Sequence, residues 1–247
     1  MHLRQNNKIA YAQFGWALLS VFAAALVIGL IAAAVFIVLQ STQAAGQTLH
    51  PPHLPLTKTP LDVGIRTYLN VTFRTQDGMR LSGWYAAPQP DNGRVIILAH
   101  GYAQNRQNLL PEAGILAQNG IGVLLFDFRG HGASDAAMVT IGDRERLDLR
   151  AAVDFVSKQP GVTYIGELGF SMGAAALAGA AAQDAHIRAV VLEASFPSLQ
   201  DELYYRSRFF GPLSQIPTLL MFRQAGVNIE QVSPLHSLCA ISPRPVY

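Results

Sequence analysis

Residues 165 to 173 read Ile-Gly-Glu-Leu-Gly-Phe-Ser-Met-Gly, a short apolar strand running straight into a G-x-S-x-G turn. The segment behind it, Ala174 to Ala182, is almost entirely small residues. A serine that projects its oxygen from a sharp strand-to-helix turn is forced into a strained backbone region, tolerated only where the surroundings hold it. So tight a turn leaves no room for side chains two residues to either side, hence glycine at Gly169 and Gly173. A helix of small residues can lie close against a sheet. The pattern therefore calls for a buried strand, a turn and a helix packed back on the strand, with Ser171 as a nucleophile by position. The bland alternative is a glycine-rich turn with an incidental serine.

The second constraint is at the N-terminus. Between Lys8 and Lys58 there is no Asp, Glu, Lys or Arg, and Phe14 to Leu39 is diluted only by Ser20 and two glycines. A helix needs about 20 apolar residues to cross a bilayer core, so 14–39 is expected to be a single transmembrane helix. A cleaved signal peptide is the competitor, with Ala44-Ala45-Gly46 as the small residues for a peptidase. Its apolar region, however, would be only about 7–15 residues. Arg4 and Lys8 precede the span and nothing basic follows until Lys58, which places residues 1–13 in the cytoplasm and the rest outside the cell membrane. Residues 40–65, rich in Gln, Thr, Pro and His up to Pro60, read as an extended linker.

The formal net charge of +2 is too small, and the basic residues too scattered, to argue for nucleic acid, so no nucleic-acid partner is expected. One cysteine, Cys239, excludes an internal disulfide framework and any multi-cysteine metal site. No motif calls for a metal or a cofactor.

Asn70 to Arg74 and Leu81 to Ala86 alternate around Asp77-Gly78 and read as a hairpin. Beyond it come apolar runs without alternation, Arg94 to His100, Ile121 to Asp127, Tyr164 to Leu168 and Ile187 to Glu193. Such runs are strands buried on both faces of a parallel sheet. Helical stretches lie between them at 106–118, 144–159 and 172–183. The expected fold is α/β, a doubly wound, mostly parallel sheet over residues 66–247.

Taken in order, His100-Gly101-Tyr102, the block Asp127-Phe128-Arg129-Gly130-His131-Gly132-Ala133-Ser134, and Gly169 to Gly173 resemble the α/β-hydrolase superfamily. The pattern looks most like its membrane-anchored branch, grouped with serine aminopeptidase-like and Bem46-like hydrolases. The resemblance implies a serine hydrolase acting on an ester, thioester or amide bond, with a small-molecule, acyl or peptidyl substrate. It points to Ser171 as nucleophile, with the backbone amides of Met172 and Tyr102 as the oxyanion hole. His100 and His131 are expected to shape loops, and His186 and His236 to be surface residues. Glu193, which ends a strand after Ser171, is a candidate acid. In the resembling branch, however, both acid and base follow later strands and would lie beyond Tyr247. The chain is thus expected to be C-terminally truncated within a strand opening at Arg244, and inactive as given. The segment from about 195 to 240 is expected to form a cap. A hydrolase-like protein that has discarded its triad and only binds is the alternative.

Overall fold

The computed structural model describes residues 2–89 and 92–247, and only the backbone of residues 2–13. Helix α1 (His2–Leu49) comes first and contains Phe14–Leu39 without a break. After an irregular stretch and a 3-10 turn at Pro60–Val63 comes the hairpin β1 (Leu69–Arg74) and β2 (Arg80–Ala86). Strands and helices then alternate: β3 (Arg94–Ala99), α2 (Leu110–Gln118), β4 (Gly122–Phe126), α3 (Glu145–Ser157), β5 (Tyr164–Phe170), α4 (Met172–Ala181) and β6 (Ile187–Glu193). The segment expected to form a cap, called the cap below, follows as α5 (Leu199–Arg206), α6 (Pro212–Gln224) and α7 (Pro234–Ile241).

The sheet order is β1-β2-β4-β3-β5-β6. The hairpin pairs antiparallel, β2 joins β4 antiparallel, and β4, β3, β5 and β6 are parallel. Every residue of β4 is buried, which is why its run shows no alternation. On one face Leu110 and Ala113 of α2 pack against Trp84, Leu98 and Leu125. On the other, Leu149 and Val153 of α3 and Leu177 and Ala181 of α4 pack with Ile97, Phe126 and Ile165. Val246 bridges Val190 in parallel, and Tyr247 N donates to Val190 O at 3.1 Å, so Pro245–Tyr247 lies alongside β6.

One expectation needs correction. Residues 40–49 are not an extended linker but the last turns of α1. Gln40-Ser41-Thr42-Gln43 has modest helix propensity, yet tertiary burial overrides it. Ala45 and Leu49 are only 3 % and 2 % exposed and belong to the domain core. A Cβ on Gly46 would meet Met221 Cε of α6 at 3.5 Å, so small residues here let the two helices approach. Of the expected linker, residues 50–59 and 64–65 are irregular, with the 3-10 turn between them.

Candidate active site

The topology creates the site. From β3 the chain crosses to β4 on one side, then returns past β3 to β5 on the other. The loops leaving β3 and β5 thus diverge at the carboxyl edge, where doubly wound sheets form their binding crevice. Ala99 and Gly169 are register partners on these strands, so the turn at Gly101–Tyr102 and the turn at Ser171 lie side by side.

Ser171 has φ +52° and ψ −112°, a region costly for a residue with a Cβ. The turn is pinned at both ends: Ser171 N donates to Glu193 O at 2.9 Å, and its carbonyl accepts from Ala175 N at 3.1 Å. A Cβ on Gly169 would stand 2.7 Å from Ala174 N, and one on Gly173 2.2 Å from Ala99 O. Only glycine lets α4 start this close to the ends of β3 and β5.

Met172 opens α4, where the first amides have no intrahelical acceptor and the helix dipole favours negative charge. In the neighbouring loop Gly101 N donates to Gln104 Oε1 at 3.1 Å and Ala103 N to His131 Nε2 at 3.2 Å. Between them the Tyr102 amide has no partner among the described residues. Ala103 carries φ +53°, so the loop is bent to this shape under strain. The Tyr102 ring is half-buried; burial raises its phenol pKa, against smaller lowering effects of Arg206 and Thr48.

Two imidazoles brace this loop. His131 donates from Nδ1 to Arg129 O at 3.0 Å while Nε2 accepts from Ala103 N. His100 sits one ring away, 5.0 Å between centroids, with Nδ1 on Gly101 O at 2.8 Å and Nε2 accepting from Phe128 N at 3.1 Å. Each accepts an N–H and so must be neutral. Burial, then the neighbouring His131, pushes His100 down to about 3, and burial also lowers His131. Asp127 completes the brace, accepting from Arg106 N and Ala133 N at 2.8 Å each.

Among the described residues Ser171 Oγ has no hydrogen-bond partner. His186 is exposed and bonded to Asp184, and His236 lies on α7 bonded to Ser233 Oγ at 2.6 Å. Glu193 is exposed at the end of β6, its carbonyl on the Ser171 amide.

Beside Ser171 lies a cleft of about 490 Å³ lined by Ala194, Ser195, Phe196, Asp201, Glu202 and Tyr205. The sequence points to a cap here, with Tyr205 among its aromatics, but assigns none of these residues to the cleft. No sequence signal marks Ala194, although its φ of +52° aims the chain into the cap. The cap aromatics divide: Phe222 is buried, whereas Tyr205, Phe209 and Phe210 are exposed. Among the described residues no cluster of His, Cys, Asp and Glu is arranged to hold a metal.

Residues 90–229 match the family described as serine aminopeptidase, S33. The chain is 32% identical over 193 residues to the thiohydrolase aneE of Aspergillus aculeatus, covering 69% of this chain and 60% of that one. It is 36% identical over 135 residues to an uncharacterised protein, Rv2307c, of Mycobacterium tuberculosis, covering 53% and 47%. The chain thus spans about half to three-fifths of the length of these relatives. An esterase of Pyrococcus furiosus, Pf2001, superposes with a TM-score of 0.66 at 28% identity, covering 81% of this chain and 75% of that one.

Proposed function

Because the chain belongs to the serine aminopeptidase, S33, family of α/β-hydrolases, we propose that it is a membrane-anchored serine hydrolase cleaving an ester, thioester or amide bond through Ser171. The observation that carries this reading is the strained Ser171, lining the cleft on a turn beside the one at Gly101–Tyr102. Ser171 Oγ attacks the carbonyl carbon, and the oxygen that becomes negative is received by the amides of Met172 and Tyr102. Each such donor contributes about 2.7–4 kcal/mol to the transition state. Collapse expels the alcohol, thiol or amine and leaves an acyl-serine for water to cleave.

The proton on Oγ needs a base. His100 and His131 hold backbone amides with the nitrogen a base would use, and protonation of either would break the loop it braces. His186 and His236 pair elsewhere. We therefore assign the base and its acid to residues outside 1–247. On this reading these 247 residues alone react weakly, since oxyanion binding without the triad retains only a small part of the rate.

The anchor reading rests on α1. Phe14–Leu49 has a mean hydropathy of 3.0 in its most apolar window, and its last turns pack in the domain core. Removal by a signal peptidase cutting after Ala45 would strip Ala45 from that core, which favours an uncleaved helix. Arg4 and Lys8 orient it with the N-terminus cytoplasmic and the hydrolase domain outside.

Fluorophosphonate labelling of the full-length protein in membranes tests the chemistry. Labelling that disappears in Ser171→Ala, together with faint labelling of residues 1–247 alone, is expected. Strong labelling of residues 1–247 would return the base to His131 or His236. A full-length protein that never labels would favour the second reading, a hydrolase-like binding protein, which the unpartnered Oγ also suits.

A further inference from the structure

Between the second half of α1 and the cap runs a groove of about 590 Å³ that the chemistry at Ser171 does not use. Phe36, Ile37 and Ala44 of α1 form one wall, and Leu203, Phe210 and Phe222 of the cap form the other. We propose that this groove binds the acyl chain of a membrane-resident amphiphile, which enters sideways from the bilayer and places its carbonyl at Ser171. The proposal rests on the readings of α1 as a membrane anchor and of Ser171 as nucleophile.

Three observations commit the groove to an acyl chain. Phe36 and Ile37 belong to the last turns of the apolar stretch that ends at Leu39, so the groove opens where the helix would leave the hydrocarbon. From Phe36 to Thr48 it follows α1 for about 18 Å at 1.5 Å per residue, toward the Tyr102 ring that faces Thr48 and Arg206. A ligand lying along it therefore points at the proposed oxyanion loop.

Helix α5 is the second link. It gives Glu202 and Tyr205 to the cleft at Ser171 and Leu203 and Arg206 to the groove. Arg206 Nε bonds Glu202 Oε1, so an ion pair on α5 links a residue lining the groove to one lining the cleft.

The cap surface is the third. Phe209 is 82 % exposed, and Phe210, Leu213, Ile216 and Leu220 are exposed beside it, the last three spaced to share one face of α6. Arg208 stacks over Tyr205, with its guanidinium carbon 4.0 Å from the ring centroid. Aromatic and aliphatic side chains next to arginines are the composition of a surface that rests at a membrane interface, which would keep the groove mouth against lipid. Small residues on the α1 wall, Ser41, Ala44 and Ala45, leave room along it for an extended chain.

The test uses the full-length protein in phosphatidylcholine vesicles doped with a long-chain fatty acyl ester bearing a terminal diazirine. Photolysis should label peptides covering both 36–48 and 203–222. Excess unlabelled long-chain ester should reduce that labelling at least fivefold, and a four-carbon ester or an apolar peptide should not. Ala44→Trp, which fills the groove, should reduce photolabelling to a similar degree while the protein still unfolds cooperatively in denaturant. Ser171→Ala should keep the photolabel, so loss of the hydrolase reading and loss of the groove reading are told apart. Label confined to 14–35, or insensitive to the long-chain competitor in the unmutated protein, would overturn the proposal. So would competition by the apolar peptide equal to that by the long-chain ester.

Discussion

The carbonyl of Leu49, in the last turn of α1, accepts a hydrogen bond from the Val139 amide at 2.9 Å. The bond joins the N-terminal helix to the loop that leads into α3, and the Leu49 side chain is buried beneath it. A helix tethered this way is a part of the folded domain, not a leash. Leu49→Ala should therefore lower the stability of the domain by about 2–5 kcal/mol, the usual range for emptying a leucine site in a core. Denaturant unfolding in detergent micelles measures it. An effect below about 0.5 kcal/mol, the range of surface substitutions, would mean that α1 stands apart from the domain.

Acid should destabilise the protein through His100. Its folded pKa of about 3 lies below the ordinary 6.5, so the unfolded chain binds the proton first. The contribution to stability is complete above pH 6.5 and is lost as pH falls from 6.5 toward 3, with a full effect on the order of 5 kcal/mol. His131 is shifted the same way. Urea unfolding from pH 7 to pH 4 should show this slope, and His100→Gln should flatten it whatever the variant does to absolute stability. An unchanged slope in His100→Gln would mean that His100 titrates normally.

Two glycines of one helix should respond in opposite senses. At Gly173 a methyl would stand 2.2 Å from Ala99 O, a backbone atom that cannot turn aside. Gly173→Ala should cost about 1–3 kcal/mol as an overpacked site. At Gly179 the nearest atom is Arg146 Cδ at 3.8 Å, and alanine should add about 0.5–1 kcal/mol through helix propensity. Melting temperatures of the two variants, compared side by side, decide whether crowding or propensity governs α4.

Much of this was legible before the fold was known. The pair around Asp77-Gly78 became β1 and β2, although β2 is buried throughout after Arg80 because it pairs with both β1 and β4, and the unbroken apolar runs became the parallel strands. The glycines at 169 and 173 pointed to the close approach of α4 to β3. Residues 40–49 misled because Gln, Ser and Thr look like a linker locally, and their helix is stabilised by partners some 180 positions away in α6. Nothing local to Ala194, Glu202 or Tyr205 reveals that they line the cleft; the cap brings them there only by folding over β6. A loop-shaping His131 was expected, but its partner, the Ala103 amide, was not legible, since nothing local to either residue pairs them.

Strain at the turn offers a separation of stability from chemistry. Ser171 holds φ +52°, which glycine adopts freely. Ser171→Gly should raise stability by about 1 kcal/mol, as expected when strain of about 1–3 kcal/mol is relieved against greater unfolded-state entropy, and should abolish fluorophosphonate labelling of the full-length protein. Thermal unfolding of Ser171→Gly beside Ser171→Ala isolates the backbone effect, because both lack the hydroxyl. If alanine proved as stable as glycine, the turn would carry no strain.

Glu167 poses the opposite electrostatic case to His100. It lies in the middle of β5, fully buried, and neither carboxylate oxygen has a partner among the described residues. Burial, helped by Asp184, raises its pKa well above the ordinary value. For an acid shifted upward the folded state binds the proton more tightly, so its contribution is greatest below about pH 4.5 and is lost as pH rises toward the folded value. At neutral pH the strand therefore carries either a proton held against solution or a bare buried charge, and both are costly. Glu167→Leu, similar in size and free of polar atoms, should stabilise the protein at pH 7 by about 1–3 kcal/mol, with a smaller gain at pH 5. Denaturant unfolding at the two pH values checks both magnitude and sign. A variant less stable than the parent at pH 7 would mean that the carboxylate is satisfied by a group not seen in this structure, and would sink the assignment of Glu167 as an unpaired buried acid.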